Sequence, residues 1–334
     1  MARLALTFAC GDYDRTRALA EGTVRAEGID LNYLRLPVEE TFFRMLRHRE
    51  FEVAEMSLSS YVASMGSTGD ATTSPFVALP VYTSRMFRHG GIFVNADAGV
   101  DRPEDLVGKV VGSPEYQLTA CVWIRGILAE HHGVPVGSVR YLTGGQESPG
   151  RVEKAALDLG GRARVGPIGP GRTLAAMLAD GEVDALYSPR IPGPFAAGDP
   201  RVRRLFRDVV GAEKAYWAAT GIFPIMHVVV VRRDVYQAHP WVAQSLTKAL
   251  QLAKREAERD LYDSSALRVM LPWLLQELES TKALLGQDYW SYGLAANRTT
   301  LETFLRYHHE QGLSPRLVTP EEMFAPESLE SFVI

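Results

Sequence analysis

Two cysteines, Cys10 and Cys121, are all that this 334-residue chain contains, and they stand far apart. Without paired spacing they exclude a disulfide framework and a cysteine-built structural zinc site. No apolar run approaches the roughly 20 residues needed to cross a bilayer. The opening MARLALTFACGDYDRTRAL has an early Arg3, but its apolar stretch stops by Cys10 and acids follow at Asp12 and Asp14. It therefore reads as a strand entering a polar loop, not a secretory signal. An excess of one charge is missing too. Lys and Arg total 36 against 40 Asp and Glu, a formal −4, so nothing global calls for nucleic acid or an anionic membrane as partner. The expectation is a cytoplasmic protein with reduced thiols.

Hydrophobic residues make up 46% and charged residues 23%, a soluble globular balance, and the length suits two lobes. Short apolar runs alternate with helical segments, which predicts α/β architecture. LALTFA, IDLNYLRL and FEVAEMSL read as strands, separated by helices over YDRTRALAEGTV and PVEETFFRMLRH. KVVGS, SVRYLTGG and VDALYSPR give further strands, with a helix over 116–132 and another at RTLAAMLADGE. VVVVRRD is β-branched and belongs in a buried sheet. From Pro240 onward the pattern is helical, with loops at LLGQDYWSYGL and GLSPRLVTP. Chain crossings near 92–104 and 216–228 divide it into a discontinuous first lobe, 1–95 plus 226–334, and a second lobe, 96–225. A ligand cleft lies between them, at the carboxyl ends of strands.

SRMFRHGGIFVN, residues 84–95, places Arg85, Arg88 and His89 before two glycines and a short strand, with no acid nearby in sequence. Local positive charge of this kind asks for an anion.

Seven segments carry a resemblance: EETFFRMLRHREFEVAEMSLSSYV, FRHGGIFVN, GSPEYQLTACVWIRGIL, GGQESPGR, DALYSPR, TGIFPIMHVVV and FLRYHHEQGLS. Together, in this order and over nearly the whole chain, they resemble the 4,5-dihydroxyphthalate decarboxylase family. The resemblance implies a two-lobed fold of the type II periplasmic-binding-protein (Venus-flytrap) kind with a helical C-terminal region. It also implies conversion of 4,5-dihydroxyphthalate to protocatechuate and carbon dioxide, and so an aromatic acid as partner.

That chemistry requires a proton at the carbon bearing the leaving carboxylate, a partner for the catechol and a cation for the carboxylate that stays. The ring holds the electrons, so no organic cofactor is expected. Arg85 and Arg88 fit the anion role, and His89, nearest the strand, is expected to face the cleft as a catalytic group turned toward the ring. The GSPEYQLTA turn offers backbone N–H groups and the donors Ser113, Tyr116, Gln117 and Thr119. Glu115 there reads either as a proton carrier or as a first-turn acid on the helix dipole. Ser57 is the better contact at the end of EMSLSS, with Ser59 or Ser60 as helix cap, and Glu55 stays ambiguous. His227 reads as acid or base, or as a core histidine. Phe223 stacks on a ring or packs the core. Arg151 and Arg190, on second-lobe loops with Tyr187 and Ser188, reach a ligand when the lobes close. Asp12, with Tyr13 and Asp14, follows the first strand and can meet catechol hydroxyls. A divalent metal held by His89, His227 and a carboxylate is a minor alternative, because spacing does not forbid it.

Two function classes remain: a carboxy-lyase, and a non-catalytic solute-binding or sensor protein for aromatic acids on the same fold. Trp273, Tyr289, Trp290 and Tyr292 provide aromatic surface for a homo-oligomer contact or pack into the core, the commoner fate of such side chains.

Overall fold

The computed structural model describes residues 3–153 and 158–329. The chain opens with β1 (Leu4–Cys10), α1 (Asp14–Ala20), β2 (Ile29–Arg35), α2 (Val38–His48), β3 (Val53–Ser57), α3 (Leu58–Ala63) and β4 (Phe76–Arg85). It crosses over and continues as β5 (Ile92–Asn95), β6 (Val110–Ser113), α4 (Thr119–His132), β7 (Arg140–Thr143), β8 (Arg164–Pro167), α5 (Leu174–Ala179), β9 (Ala185–Tyr187), α6 (Gly193–Ala196), β10 (Val202–Arg204) and α7 (Val209–Thr220). It returns as β11 (Ile225–Arg232), followed by α8 (Arg233–Ala238), α9 (Trp241–Asp260), α10 (Leu274–Leu285), α11 (Arg298–Glu310) and α12 (Pro320–Met323).

Two sheets result, ordered β2-β1-β3-β11-β4 and β10-β5-β9-β6-β7-β8. β1, β2 and β3 are parallel, and β11 runs antiparallel between β3 and β4. The strand β4 was not legible beforehand, because Pro80 interrupts its pattern. Proline lacks an N–H, yet an edge strand tolerates it, and β4 is the edge of its sheet. β5 belongs to the second sheet, so the first crossing occupies residues 86–91 and the expected boundary at 95 comes one strand late. Residues 221–224 make the return crossing.

The two crossings are tied to each other. Met86 N–H donates to Pro224 O at 3.1 Å, and the Phe87 and Phe223 rings stack at 4.7 Å. A single helix also spans both halves. Val122, Trp123 and Ile127 of α4 pack into the first core, while Cys121, Ile124 and Leu128 face the second. Burial on every side explains why α4 reads as nearly unbroken apolar sequence. Its approach to α11 depends on Gly126, since a Cβ there would fall within the Tyr307 ring. Assigning 96–225 wholly to the second lobe therefore cuts through a helix whose packing is shared.

Candidate active site at the interlobe cleft

Glu55 sits on β3, fully buried, with His227 diagonally across on β11. Period-two alternation puts Glu55 and Ser57 on one face, and antiparallel pairing sets His227 opposite Ser57. Glu55 Oε1 lies 2.7 Å from His227 Nδ1 and accepts from Tyr13 OH and Thr83 Oγ1, each at 2.8 Å. Its Oε2 accepts from Gly11 N–H at 3.0 Å and from the Cys10 thiol at 3.6 Å. Burial alone would push this carboxyl up; the charge and hydrogen bond of His227, with the Gly11 and Tyr13 donors, outweigh it and hold Glu55 down at about 2. Gly11 has to be glycine, because a Cβ would meet the Tyr13 ring at 2.7 Å.

A carboxylate only accepts hydrogen bonds, so His227 Nδ1 carries the proton. Nε2 has no protein partner among the described residues, and the side chain keeps 18% exposure. Phe42 from α2 meets the imidazole edge-on at 4.9 Å. The β11–β4 ladder is irregular on both sides of His227, and such bulges re-aim side chains beside functional sites. The result is a half-open imidazole braced from behind by a buried anion.

Two helix starts meet next to it. Ser57 caps α3 by accepting from Ser60 N–H, and its Oγ lies 2.8 Å from Thr119 Oγ1 at the start of α4. Ser59 N–H also donates to Thr119 Oγ1, at 3.0 Å. Leu118, the residue before α4, supplies no side-chain cap.

Arg88 is a buried cation without a direct ion pair among the described residues; the nearby charge of Glu213 acts on it from beyond ion-pair distance. Arg88 is 7% exposed, and its Nε–H donates to the sulfur of Met226, the neighbour of His227, at 3.0 Å. Among the described residues its Nη groups have no acceptor, and no carboxylate lies within ion-pair distance of it. Burial pulls this guanidinium down to about 10. A desolvated cation without a counter-ion in contact is costly, and an anionic ligand would relieve that cost.

Several expected contacts are placed elsewhere. Arg85 gives its Nη groups to Phe223 O at 3.1 Å, Ser291 O at 2.6 Å and Asn297 Oδ1, so it ties the hinge to the C-terminal region. Phe223 is committed to Phe87 and, edge-on, to Trp290. His89 is 2% exposed among Phe206, Tyr216 and His132, and burial with the nearby histidines pulls it down to about 4. His132 closes the opposite end of α4 from Thr119, about 20 Å away at helical rise. His89 and His227 therefore do not form a metal site together. Among the described residues no three His, Cys, Asp or Glu side chains are grouped to hold a metal ion.

Glu115 is 1% exposed and clamped by Arg151, whose Nε and Nη2 lie 2.8 and 2.6 Å from its Oε1. Arg151 Nη1 also reaches Glu39 on α2 at 3.0 Å, and Arg190 joins Glu39 at 3.3 Å. These three expected site residues thus form a clasp between lobes. Ser113 Oγ turns back to Glu115 O, and the Tyr116 ring is buried against Arg125 at 3.8 Å. Asp12 pairs with Arg35 on the surface. Ser57 and His227 face each other across β3 and β11, while Arg88 lies on the first crossing against Met226, the residue before His227. Glu55, with Tyr13 and Thr83 behind it, is the partner that sequence reasoning left undecided. Its one signal was an acid two places before Ser57 on a strand.

No protein-family model matches the chain. It is 42% identical over 334 residues, 100% of both chains, to the 4,5-dihydroxyphthalate decarboxylase of Comamonas testosteroni. It is also 42% identical over 219 residues, 66% of this chain and 83% of the other, to the enzyme of that name from Pseudomonas putida. Among solved structures, the putative periplasmic sulfonate-binding protein SsuA of Methylobacillus flagellatus KT superposes with a TM-score of 0.56 at 13% identity, covering 98% of this chain and 93% of that one. The alkanesulfonate-binding SsuA of Xanthomonas axonopodis pv. citri gives 0.50 at 14% identity, covering 98% of each. At such identity the likeness is one of fold, a two-lobed periplasmic-binding-protein type.

Proposed function

Because the chain belongs to the 4,5-dihydroxyphthalate decarboxylase family, we propose that it is a carboxy-lyase converting 4,5-dihydroxyphthalate to protocatechuate and carbon dioxide. Arg88 holds the carboxylate that stays, since a guanidinium fork matches a carboxylate in bidentate geometry. His227 Nε2 takes up a proton and passes it to the ring carbon bearing the other carboxylate. A hydroxyl para to that carbon supplies electron density as the C–H bond forms. The carbon–carboxylate bond then breaks, its electron pair returns to the ring, and carbon dioxide leaves. The ring accommodates the electrons, so the reading needs no organic cofactor or metal. The observation that carries the site assignment is Arg88: a buried cation with no carboxylate in direct contact, held against Met226 on the strand that carries His227.

The test is carbon dioxide evolution from 4,5-dihydroxyphthalate by the purified chain, repeated after chelation and with Arg88→Ala and His227→Ala. Release by the wild type and loss in both variants is the expected result. Tight binding of aromatic acids without carbon dioxide release would make it a binding protein instead. Turnover of a different hydroxylated acid in a substrate panel would move the substrate assignment and keep the reaction class.

Cytoplasmic residence and self-association belong to the same reading. Both cysteines are free and buried, and no helix among the described residues is long and apolar enough to cross a membrane. The stretch 267–273 presents Leu267, Val269, Met270, Leu271 and Trp273 to solvent, with Met270 wholly exposed and Trp273 71% exposed. Contiguous apolar surface of this kind suits a second copy of the chain. Trp290 and Tyr292, in contrast, are turned inward.

A further inference from the structure

Glu55 holds more donors than a buried carboxylate needs for its own stability. Five groups from four segments converge on it: Cys10 and Gly11 at the end of β1, Tyr13, Thr83 on the irregular part of β4, and His227 on β11. Fold stability alone would be served as well by an apolar side chain here, because a buried charge with its donors at best offsets its own desolvation. The arrangement does one thing an apolar residue cannot. It dictates which nitrogen of a half-open imidazole bears hydrogen.

We propose that Glu55 is a positioning residue for His227, fixing the Nδ1–H tautomer so that Nε2 is the atom that takes and gives the proton. This deepens the reading of the site above and rests on it for the identity of the reaction. When Nε2 gains a proton, Glu55 compensates the new charge without itself being protonated, and the Nδ1 proton stays on the ring. Tyr13, Thr83 and Gly11 act one step further back, by holding the carboxylate in register with the imidazole.

Glu55→Gln exposes the requirement because an amide has one acceptor end. With its oxygen toward His227, the amide NH2 faces the Gly11 N–H and two donors collide. Turned over, it offers a donor to Nδ1, and the imidazole must move its hydrogen to Nε2. Either outcome spoils proton transfer while leaving Arg88 untouched.

The experiment uses the full chain labelled with 15N-histidine, wild type and Glu55→Gln, with Thr83→Val as a milder companion that keeps the carboxylate. In the wild type, His227 should show protonated Nδ1 and bare Nε2 below saturation with protons. Glu55→Gln should invert or mix that signature and lower kcat by about 10²-fold or more, with KM and protocatechuate affinity nearly unchanged. Thr83→Val should keep the wild-type tautomer and lower kcat by less than Glu55→Gln does. A wild-type spectrum with hydrogen on Nε2 overturns the proposal, and so does a Glu55→Gln enzyme that binds protocatechuate and retains kcat. If Glu55→Gln does not fold, Glu55→Asp decides. Its carboxylate is withdrawn by one methylene and should lower kcat without changing ligand affinity; an unchanged kcat overturns the role. Should the wild type release no carbon dioxide at all, the reaction assignment falls, while the nitrogen spectra still decide whether Glu55 sets the tautomer.

Discussion

Arg151 bridges the lobes: its guanidinium lies 2.6 Å from Glu115 on its own side and 3.0 Å from Glu39 on α2 across the cleft. Arg190 adds a second arm to Glu39, at 3.3 Å. The outer pairs are half-exposed, so each contributes about 0–1 kcal/mol. Such a clasp is weak enough to open once per turnover. Glu39→Gln should leave the melting temperature nearly unchanged and speed product release several-fold, read by stopped-flow displacement of protocatechuate. An unaltered release rate would remove the clasp from the catalytic cycle.

Arg88 should behave oppositely in stability and in binding. Arg88→Met deletes a buried charge that no carboxylate touches directly, so urea unfolding of the ligand-free protein should show stability retained or raised by about 1–3 kcal/mol. Affinity for aromatic carboxylates should fall by about 10²-fold in calorimetry, the loss of a charge-assisted bidentate contact. A variant that is destabilised yet still binds would mean that Arg88 holds the hinge and not the ligand.

Acid should weaken the fold in a defined window. His89, down at about 4, and His308, pulled by burial to about 3, stay neutral in the native state at pH values where an ordinary histidine near 6.5 is charged. The unfolded chain then binds more protons, so stability falls as pH drops from about 6.5 toward 4. Glu55, held at about 2, continues the loss from about 4.5 downward, because its carboxylate must be protonated against its donors. His89→Phe, which suits the ring cluster around it, should flatten the upper part of that decline by up to ~1.4 kcal/mol per pH unit. It should also keep kcat at neutral pH. Loss of turnover in this variant would return His89 to the active site.

Self-association should depend on the exposed apolar stretch. Trp273→Glu combined with Met270→Glu should yield a monomer by light scattering, with an unchanged circular dichroism spectrum. If the wild type is monomeric at micromolar concentration, that stretch has another occupant.

Most strands and the helices α1, α2, α4 and α5 were readable because their signals are local. The helices α6, α7 and α8 were not, and the end of α7 falls within one of the expected crossings. Apolar period two marks β2, short apolar runs mark β1 and β3, and β-branched composition marks β11. The strand β4 escaped because it is an edge strand whose outer side meets C-terminal segments instead of another strand, a circumstance that admits Pro80 and is invisible in the order of residues. The cluster around residue 88 was conspicuous by charge, but its three members part company in space. Arg85 turns to carbonyls, His89 to rings and Arg88 to the sulfur of Met226. Charge can be counted along a chain, whereas a counter-ion is a matter of neighbours.

What the residues settled by themselves was the two-lobed α/β class, the family, and the presence of cationic and imidazole groups suited to an acidic aromatic ligand. Which of those groups act was left to the tertiary structure. Glu55 and His227 stand far apart in sequence and 2.7 Å apart in space, and only antiparallel pairing of β11 with β3 puts them on one face. Burial then decides their character. The same fold that shuts water away from Glu55 surrounds it with donors and keeps it charged, leaving one nitrogen of His227 without a protein partner among the described residues.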